Sequence, residues 1–331
     1  MSTASVEEVS SAQAKATRIT QTLAREERSL WQDAVRQFFR NRLAIAGLIV
    51  ITLFILAALF GPYVAPYDFL DQDLSNALQT PSADHWLGTD ELGRDIFSRI
   101  LHGARTAALV SLSSTTVSFL IGIAVGTTSG FAGGRVDQFL MWVSDLIQSI
   151  PGLLLAMLVN TALKRPIVDW FDALYERTRN PAYLNILWLD FVLVFGALAL
   201  IGWPGLARLI RGQVMSISQT DYVLAARAIG AGRRRIMARH IIPNALGPVV
   251  VSVSQGMGGA ILAESGLSFL GVGVQPPNAS WGSMLNRSLS MWQIYPHLMV
   301  APAVAIGVVQ VAFIFFGDGL NDALNPRQRI L

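Results

Sequence analysis

Six apolar runs separated by polar segments organise the sequence: Leu43 to Phe60, Ala107 to Phe131, Phe139 to Leu163, Ile186 to Leu209, Leu246 to Leu270 and His297 to Phe316. Each has about the 20 residues a helix needs to cross the hydrocarbon of a bilayer. Backbone groups in lipid must bond among themselves, so each run is predicted to be a transmembrane helix. Residues 1–29 are rich in Ser, Thr, Ala and Glu without apolar period, and predict a disordered or loosely helical tail. "LWQDAVRQFFRNR" (residues 30–42) gathers Leu30, Trp31, Val35, Phe38 and Phe39 near one helical face, with Arg36, Arg40 and Arg42 at the basic end. It reads as an interfacial helix or as a charged juxtamembrane stub. The first run begins late and is too long for a signal peptide, so it is expected to be an uncleaved span.

Composition agrees. The chain is 52% hydrophobic and 14% charged, against about 25% charged in soluble domains. The expected class is an all-α integral membrane protein of six helices. The organisation reads as tail 1–29, interfacial helix 30–42, first span 43–60, outer loop 61–106, and a core domain 107–331 with a polar insert at 211–245. Lys and Arg set the orientation. With the N-terminus inside, the inner segments carry 17 basic residues and the outer ones 8. Both termini and the 208–245 segment are therefore expected to be cytoplasmic.

The outer loop 61–106 holds seven acids and three arginines. Its "GTDELGRDIFSRI" stretch predicts a short helix starting near Thr89, capped by that hydroxyl, with Asp90 and Glu91 in its first turn. The segment 164–185 is long and aromatic and is expected on the membrane surface. Gly122, Gly126 and Gly130 fall four apart on one face of the second run, and Gly256, Gly258, Gly259 and Gly266 crowd the fifth. Such faces admit close helix packing, or sliding. Pro151 and Pro204 are expected to kink the third and fourth spans.

Asp145 and Glu264 lie within apolar runs, where a carboxylate must face protein or water. Each reads as a pathway or gating residue, or as a structural hydrogen-bonding group, and neither has a basic residue nearby in sequence. Catalytic patterns are missing. The two lysines, Lys15 and Lys164, follow no glycine-rich phosphate loop. The four histidines form no His-Glu-x-x-His pattern, and there is no Gly-x-Ser-x-Gly elbow. With no cysteine there is no thiol nucleophile or thiolate site. An enzyme is not expected, and neither a bound metal nor a cofactor is implied for this chain.

The insert "TDYVLAARAIGAGRRRIMARHIIPN" (residues 220–244) carries Arg227, Arg233, Arg234, Arg235 and Arg239 against one acid, Asp221. "SQTD" resembles a helix start. A helix can run to Ile229, Gly230 can supply a left-handed stop, and a second helix can span 233–241. Pro243 suits the first turn of the fifth span. The result is a helix–turn–helix elbow. Ala225 and Ala226 would let a surface approach closely, while the arginines could pair with a partner's acids or with lipid phosphates. Alternatively the arginines only hold topology.

The stretch "LAARAIG…HIIPN" resembles the cytoplasmic EAA loop of binding-protein-dependent ABC importer permeases, with Ala225, Ala226, Gly230, Ile242 and Pro243 matching. Leu224 stands where the family often has Glu, and His240 where it often has Ile, so no acidic contact is implied at Leu224. "HWLGTDELGRDIFSRILHGARTA", "FAGGRVDQFLMWVSD", "GWPGLARLIRGQV", "ILAESGLSFLGVGVQPPNASWGSML" and "GDGLNDALNPR" are similar to the C-type membrane subunit of dipeptide, oligopeptide and nickel ABC importers. The resemblance covers about residues 30–330 and does not extend to the tail or to 164–185. It implies the type I ABC importer permease fold in a bacterial inner membrane. It implies a second, homologous permease subunit, two ATPase subunits below, which would hold ATP and Mg, and an extracytoplasmic binding protein above. The elbow would be the coupling helix, with Asp221, Leu224, Ala225, Ala226, Arg227, Gly230, Arg239 and Pro243 at the ATPase contact. Cargo would be a di- or oligopeptide, a nickel chelate or another small solute. An ATP-independent carrier or channel is the rival of a different class. Lipid is expected around the spans, and no nucleic-acid partner is implied.

Overall fold

The computed structural model describes residues 35–183 and 187–324. The 1–29 tail, the first part of the 30–42 helix, residues 184–186 and the C-terminal end from Asn325 lie outside the described residues. Among the described residues there is no β-strand, only one isolated bridge between Thr89 and Asp95.

Helix α1 is Arg42–Val64. Asn41 ends the preceding turn and caps α1, its Oδ1 accepting from the N–H groups of Leu43 and Ala44. The segment before it does not lie as one apolar face: Phe38 is buried against Phe316, whereas Val35 and Phe39 are exposed. Helix α2, Ile96–Ala132, starts eleven residues earlier than the apolar run suggests and has 37 residues. Its cap is Asp95, whose Oδ2 accepts from the Ser98 N–H at 2.7 Å. Thr89, the expected cap, instead accepts from the Gln79 N–H and donates to the Asn76 carbonyl, pinning the outer loop.

The expected third span is not one helix. Helix α3, Gly134–Gln148, and helix α4, Gly152–Thr178, meet at a bend of 87°. Pro151, which cannot donate a backbone bond and disfavours helix in the residue before it, stands at the break. The helix then continues to Thr178, so most of the 164–185 segment is helical rather than a surface loop. Helix α5, Leu187–Ser218, accommodates Pro204 internally and runs nine residues beyond the predicted end. Helix α6 is Asp221–Ala228 and α7 is Arg233–Ile236, followed by a π turn, Met237–Ile241. Helix α8 is Ile242–Phe269, α9 is the short Trp281–Ser288, and α10 is His297–Leu324. Among the described residues five helices are long and apolar enough to cross a membrane, and the bent α3–α4 pair makes a sixth span if counted as one.

The α2–α5 seam is set by glycine. A Cβ on Gly122 would lie 2.8 Å from Leu206 Cβ, one on Gly126 2.5 Å from the Ala207 carbonyl, and one on Gly130 2.9 Å from Val214 Cβ. The three glycines therefore let α5 lie against the α2 backbone, which is the packing role their spacing predicts. On the other side α1, α2 and α10 enclose Phe54, Ile96, Ala107, Trp281 and Phe313. At one end of the bundle lie α3, α6 and α7. At the other lie the 65–95 loop and α9.

Candidate functional site

The polar insert forms a compact elbow at the first of these ends. Helix α6 closes with the paired bonds of a Schellman motif: the Ala231 N–H reaches the Ala226 carbonyl at 3.0 Å, and the Gly230 N–H reaches the Arg227 carbonyl at 3.1 Å. Gly230 occupies the left-handed region at φ +85°, as the motif requires. The start differs from expectation. Ser218 belongs to α5 and bonds back to the Val214 carbonyl, and the Thr220 hydroxyl bonds back to Ile217, so no hydroxyl caps α6. The return limb is one α turn and a π turn rather than a uniform helix over 233–241.

The elbow is anchored from within. Val223 of α6, Ile236 of α7 and Ile241 of the π turn are buried with Ile210 and Val214 of α5 and Val249 of α8. Packed side chains thereby join α6 to the feet of α5 and α8. Its outward face is different. Asp221, Leu224, Ala225 and Arg227 are exposed, Ala226 is half-buried, and Ile229 is 86% exposed, more than any other large apolar side chain among the described residues. Pro243 is exposed in the first turn of α8, and Arg239 is exposed on the π turn. Sequence reading missed Ile229 and Tyr222, which add apolar surface to the elbow. An isoleucine placed just before a helix-stopping glycine was the available signal.

The elbow arginines have no carboxylate within 4.0 Å among the described residues. This is not a property of the whole end of the molecule. At the foot of α5, Arg211 holds Asp137 of α3 through two bonds of 2.6 Å, and Arg208 holds Asp145 at 2.6 Å. Asp145 is thus neither unpaired nor buried. It lies before the Pro151 break, 65% exposed, with its arginine on the neighbouring helix.

Glu264 is 1% exposed in the last turns of α8, remote from the elbow. No cation faces it among the described residues. Three hydroxyls do: Ser268 at 2.7 Å, Ser280 at 2.8 Å and Ser265 at 3.3 Å, all donating to its oxygens. Ser268 in turn accepts from the Val274 N–H. Glu264 therefore organises the link from α8 to α9. The acids of "GTDELGRD" are structural as well. Asp90 accepts from Arg94 Nε at 2.7 Å and from the Leu92 and Arg94 N–H groups, and Glu91 pairs with Arg287 of α9 at 2.9 Å.

Between α2, α4, α5 and α8 lies a cavity of about 400 Å³. None of its lining residues is ionisable. Ser114, Thr115, Ser118 and Ser252 supply hydroxyls, and Gly256 and Gly259 leave its α8 wall bare. The Ser118 hydroxyl donates a hydrogen bond to the Ala199 carbonyl. The fifth-run glycines thus divide: Gly258 packs against Phe313 of α10, while a Cβ on Gly259 would meet nothing within 4 Å.

The sequence profile described as "Binding-protein-dependent transport system inner membrane component" matches residues 118–330. That described as "N-terminal TM domain of oligopeptide transport permease C" matches residues 29–81. The oligopeptide transport system permease protein OppC of Bacillus subtilis is 38% identical over 93% of this chain and 93% of its own length. The dipeptide transport system permease protein DppC of the same organism is 37% identical over 93% of this chain and 89% of its own. The glutathione transport system permease protein GsiD of Pectobacterium atrosepticum is 36% identical over 91% and 92%. The elbow, the glycine-seamed bundle and these matches have one reading: the chain belongs to the family of binding-protein-dependent transport system inner membrane components, as a multi-pass, non-catalytic permease.

Proposed function

We propose that this chain is one permease subunit of an ATP-driven importer of di- or oligopeptides. In this reading both termini and the elbow face the cytoplasm. A second permease subunit lies beside it, two ATPase subunits hold ATP and Mg below, and an extracytoplasmic binding protein delivers cargo from above. The relatives named for oligopeptide, dipeptide and glutathione transport support a peptide cargo. The 400 Å³ cavity, walled mainly by apolar side chains such as Leu153, Leu198 and Ile201 with a few hydroxyls and no charge, suits a solute that is not selected by charge.

The observation that carries the reading is the elbow. Its inner face is packed into two spans, and its outer face is an apolar and cationic surface with no partner of its own among the described residues. A short helix terminated by a left-handed glycine presents Ala225, Ala226 and Ile229 to a concave neighbour. Nucleotide closing the ATPase pair would favour one position of α6 over another, and the buried contacts would carry that preference to α5 and α8. The test is reconstitution of the full complex with Ile229→Asp in this chain. The reading expects the ATPase subunits to be lost from the purified complex while the permease pair remains inserted. Normal uptake with full ATPase recovery would contradict it.

A further inference from the structure

We propose that Arg233, Arg234, Arg235 and Arg239 form a seat for the phosphate headgroup of an anionic membrane lipid. The inference needs only that the long helices cross the membrane, and it stands whether or not the elbow drives the pore. Three observations carry it. First, all four guanidinium groups are exposed and lack a carboxylate among the described residues, whereas Arg208 and Arg211 at the same end are both paired. The carboxylates of Asp145 and Asp137 at this end are taken by Arg208 and Arg211, so the cluster keeps its donors for an outside group.

Second, the cluster is fixed at the edge of the spans. Ile236 and Ile241 are fully buried, and the run from Arg233 to Phe269 passes into α8 without interruption. The Arg233 guanidinium lies 5.9 Å from the centre of the Phe131 ring, at the last turn of α2. Nearby on α3, Phe139 and Trp142 stack at 6.2 Å and both are exposed. Exposed tryptophan is enriched at the membrane–water boundary, where headgroups lie.

Third, the π turn sets the spacing. The Ile242 N–H reaches the Met237 carbonyl, five residues back, so the turn is wider than an α turn. Arg239 is four residues from Arg235 and five from Arg234, which brings it beneath both when the turn is widened. Forked donors exposed beside the spans match the oxygens of a phosphodiester, and guanidinium groups bind that chemistry in pairs of hydrogen bonds.

The experiment uses the full complex in vesicles of phosphatidylcholine with or without phosphatidylglycerol. Native mass spectrometry after extraction reads retained phosphatidylglycerol. The combined variant Arg234→Gln, Arg235→Gln, which changes two exposed arginines outside the expected ATPase contact, is expected to retain several-fold less than wild type, with ATPase subunits recovered in full. Equal retention, or loss of ATPase subunits with lipid unchanged, would overturn the proposal, the latter by assigning these arginines to a protein contact. The wild-type complex supplies a check independent of folding. Phosphatidylglycerol should slow phenylglyoxal modification of Arg234, Arg235 and Arg239 several-fold and leave Arg227 unaffected. Equal rates in both vesicles would also overturn it.

Discussion

Arg211 grips Asp137 with two parallel hydrogen bonds of 2.6 Å, one from Nε and one from Nη2, across 74 positions of sequence. Ser129 of α2 donates to the same carboxylate, so one acid joins α2, α3 and α5. The pair is largely shielded, with Arg211 30% and Asp137 16% exposed. Hydrogen bonds to charged groups in such a setting contribute about 1.5–3 kcal/mol. Asp137→Asn should therefore lower the melting temperature of the extracted permease measurably. Asp145→Asn breaks a pair with both members about half exposed or more, and such pairs contribute about 0–1 kcal/mol. It should leave the melting temperature near wild type. Thermal melts of the two variants in one detergent check the contrast.

Neighbouring glycines of α8 should behave oppositely. Gly258→Leu puts its side chain into Phe313, with the Cβ already 2.9 Å from Phe313 Cβ, and should impair folding or expression. Gly259→Leu meets open cavity and should fold, assemble and block uptake. Uptake at wild-type rate by a well-assembled Gly259→Leu complex would remove the cavity from the solute path.

Glu264 acts as an acceptor for three serine hydroxyls, and Gln keeps one acceptor oxygen where Ala keeps none. Glu264→Ala should destabilise the α8–α9 link, by about 1–3 kcal/mol for the stranded hydroxyls. The double variant Asp145→Asn, Glu264→Gln should still take up cargo. Loss of uptake in that variant, with assembly intact, would favour a proton-coupled carrier.

Gly230 has open space where a Cβ would stand, so any penalty there comes from its backbone, not from a clash. Asn tolerates the left-handed region and β-branched residues do not. Gly230→Asn should preserve coupled transport, and Gly230→Val should uncouple it, with a strain of about 1–2 kcal/mol at the turn. Uptake and ATPase rates measured together in reconstituted vesicles distinguish the two variants.

The spans, the glycine seam and the elbow were legible because each rests on local periodicity or on one residue's backbone freedom. Gly122, Gly126 and Gly130 declare their face by spacing alone, and Gly230 declares the stop of α6 by position. What was hidden depends on partners distant in sequence. Nothing near Asp145 announces Arg208, and nothing near Glu264 announces Ser280, because only the folded bundle brings α3 to α5 and the 271–280 link back over α8. The start of α2 was misplaced for a related reason. Hydropathy begins at Ala107, but the helix begins where Asp95 can cap it, and the intervening turns are held by Arg99, Trp281 and the outer loop. The 87° break showed the weakness of hydropathy from the other side, since an apolar run says nothing of direction when a proline divides it.

The absence of cysteine from this chain gives a clean background for the most direct test of the elbow. Ala225→Cys, on the exposed face of α6, is placed in the reconstituted complex and treated with a short thiol-to-amine cross-linker. The account predicts a covalent adduct with an ATPase subunit, its yield changing between nucleotide-free and ATP-bound states. An adduct with the extracytoplasmic binding protein, or no ATPase adduct in a complex that transports normally, would contradict it.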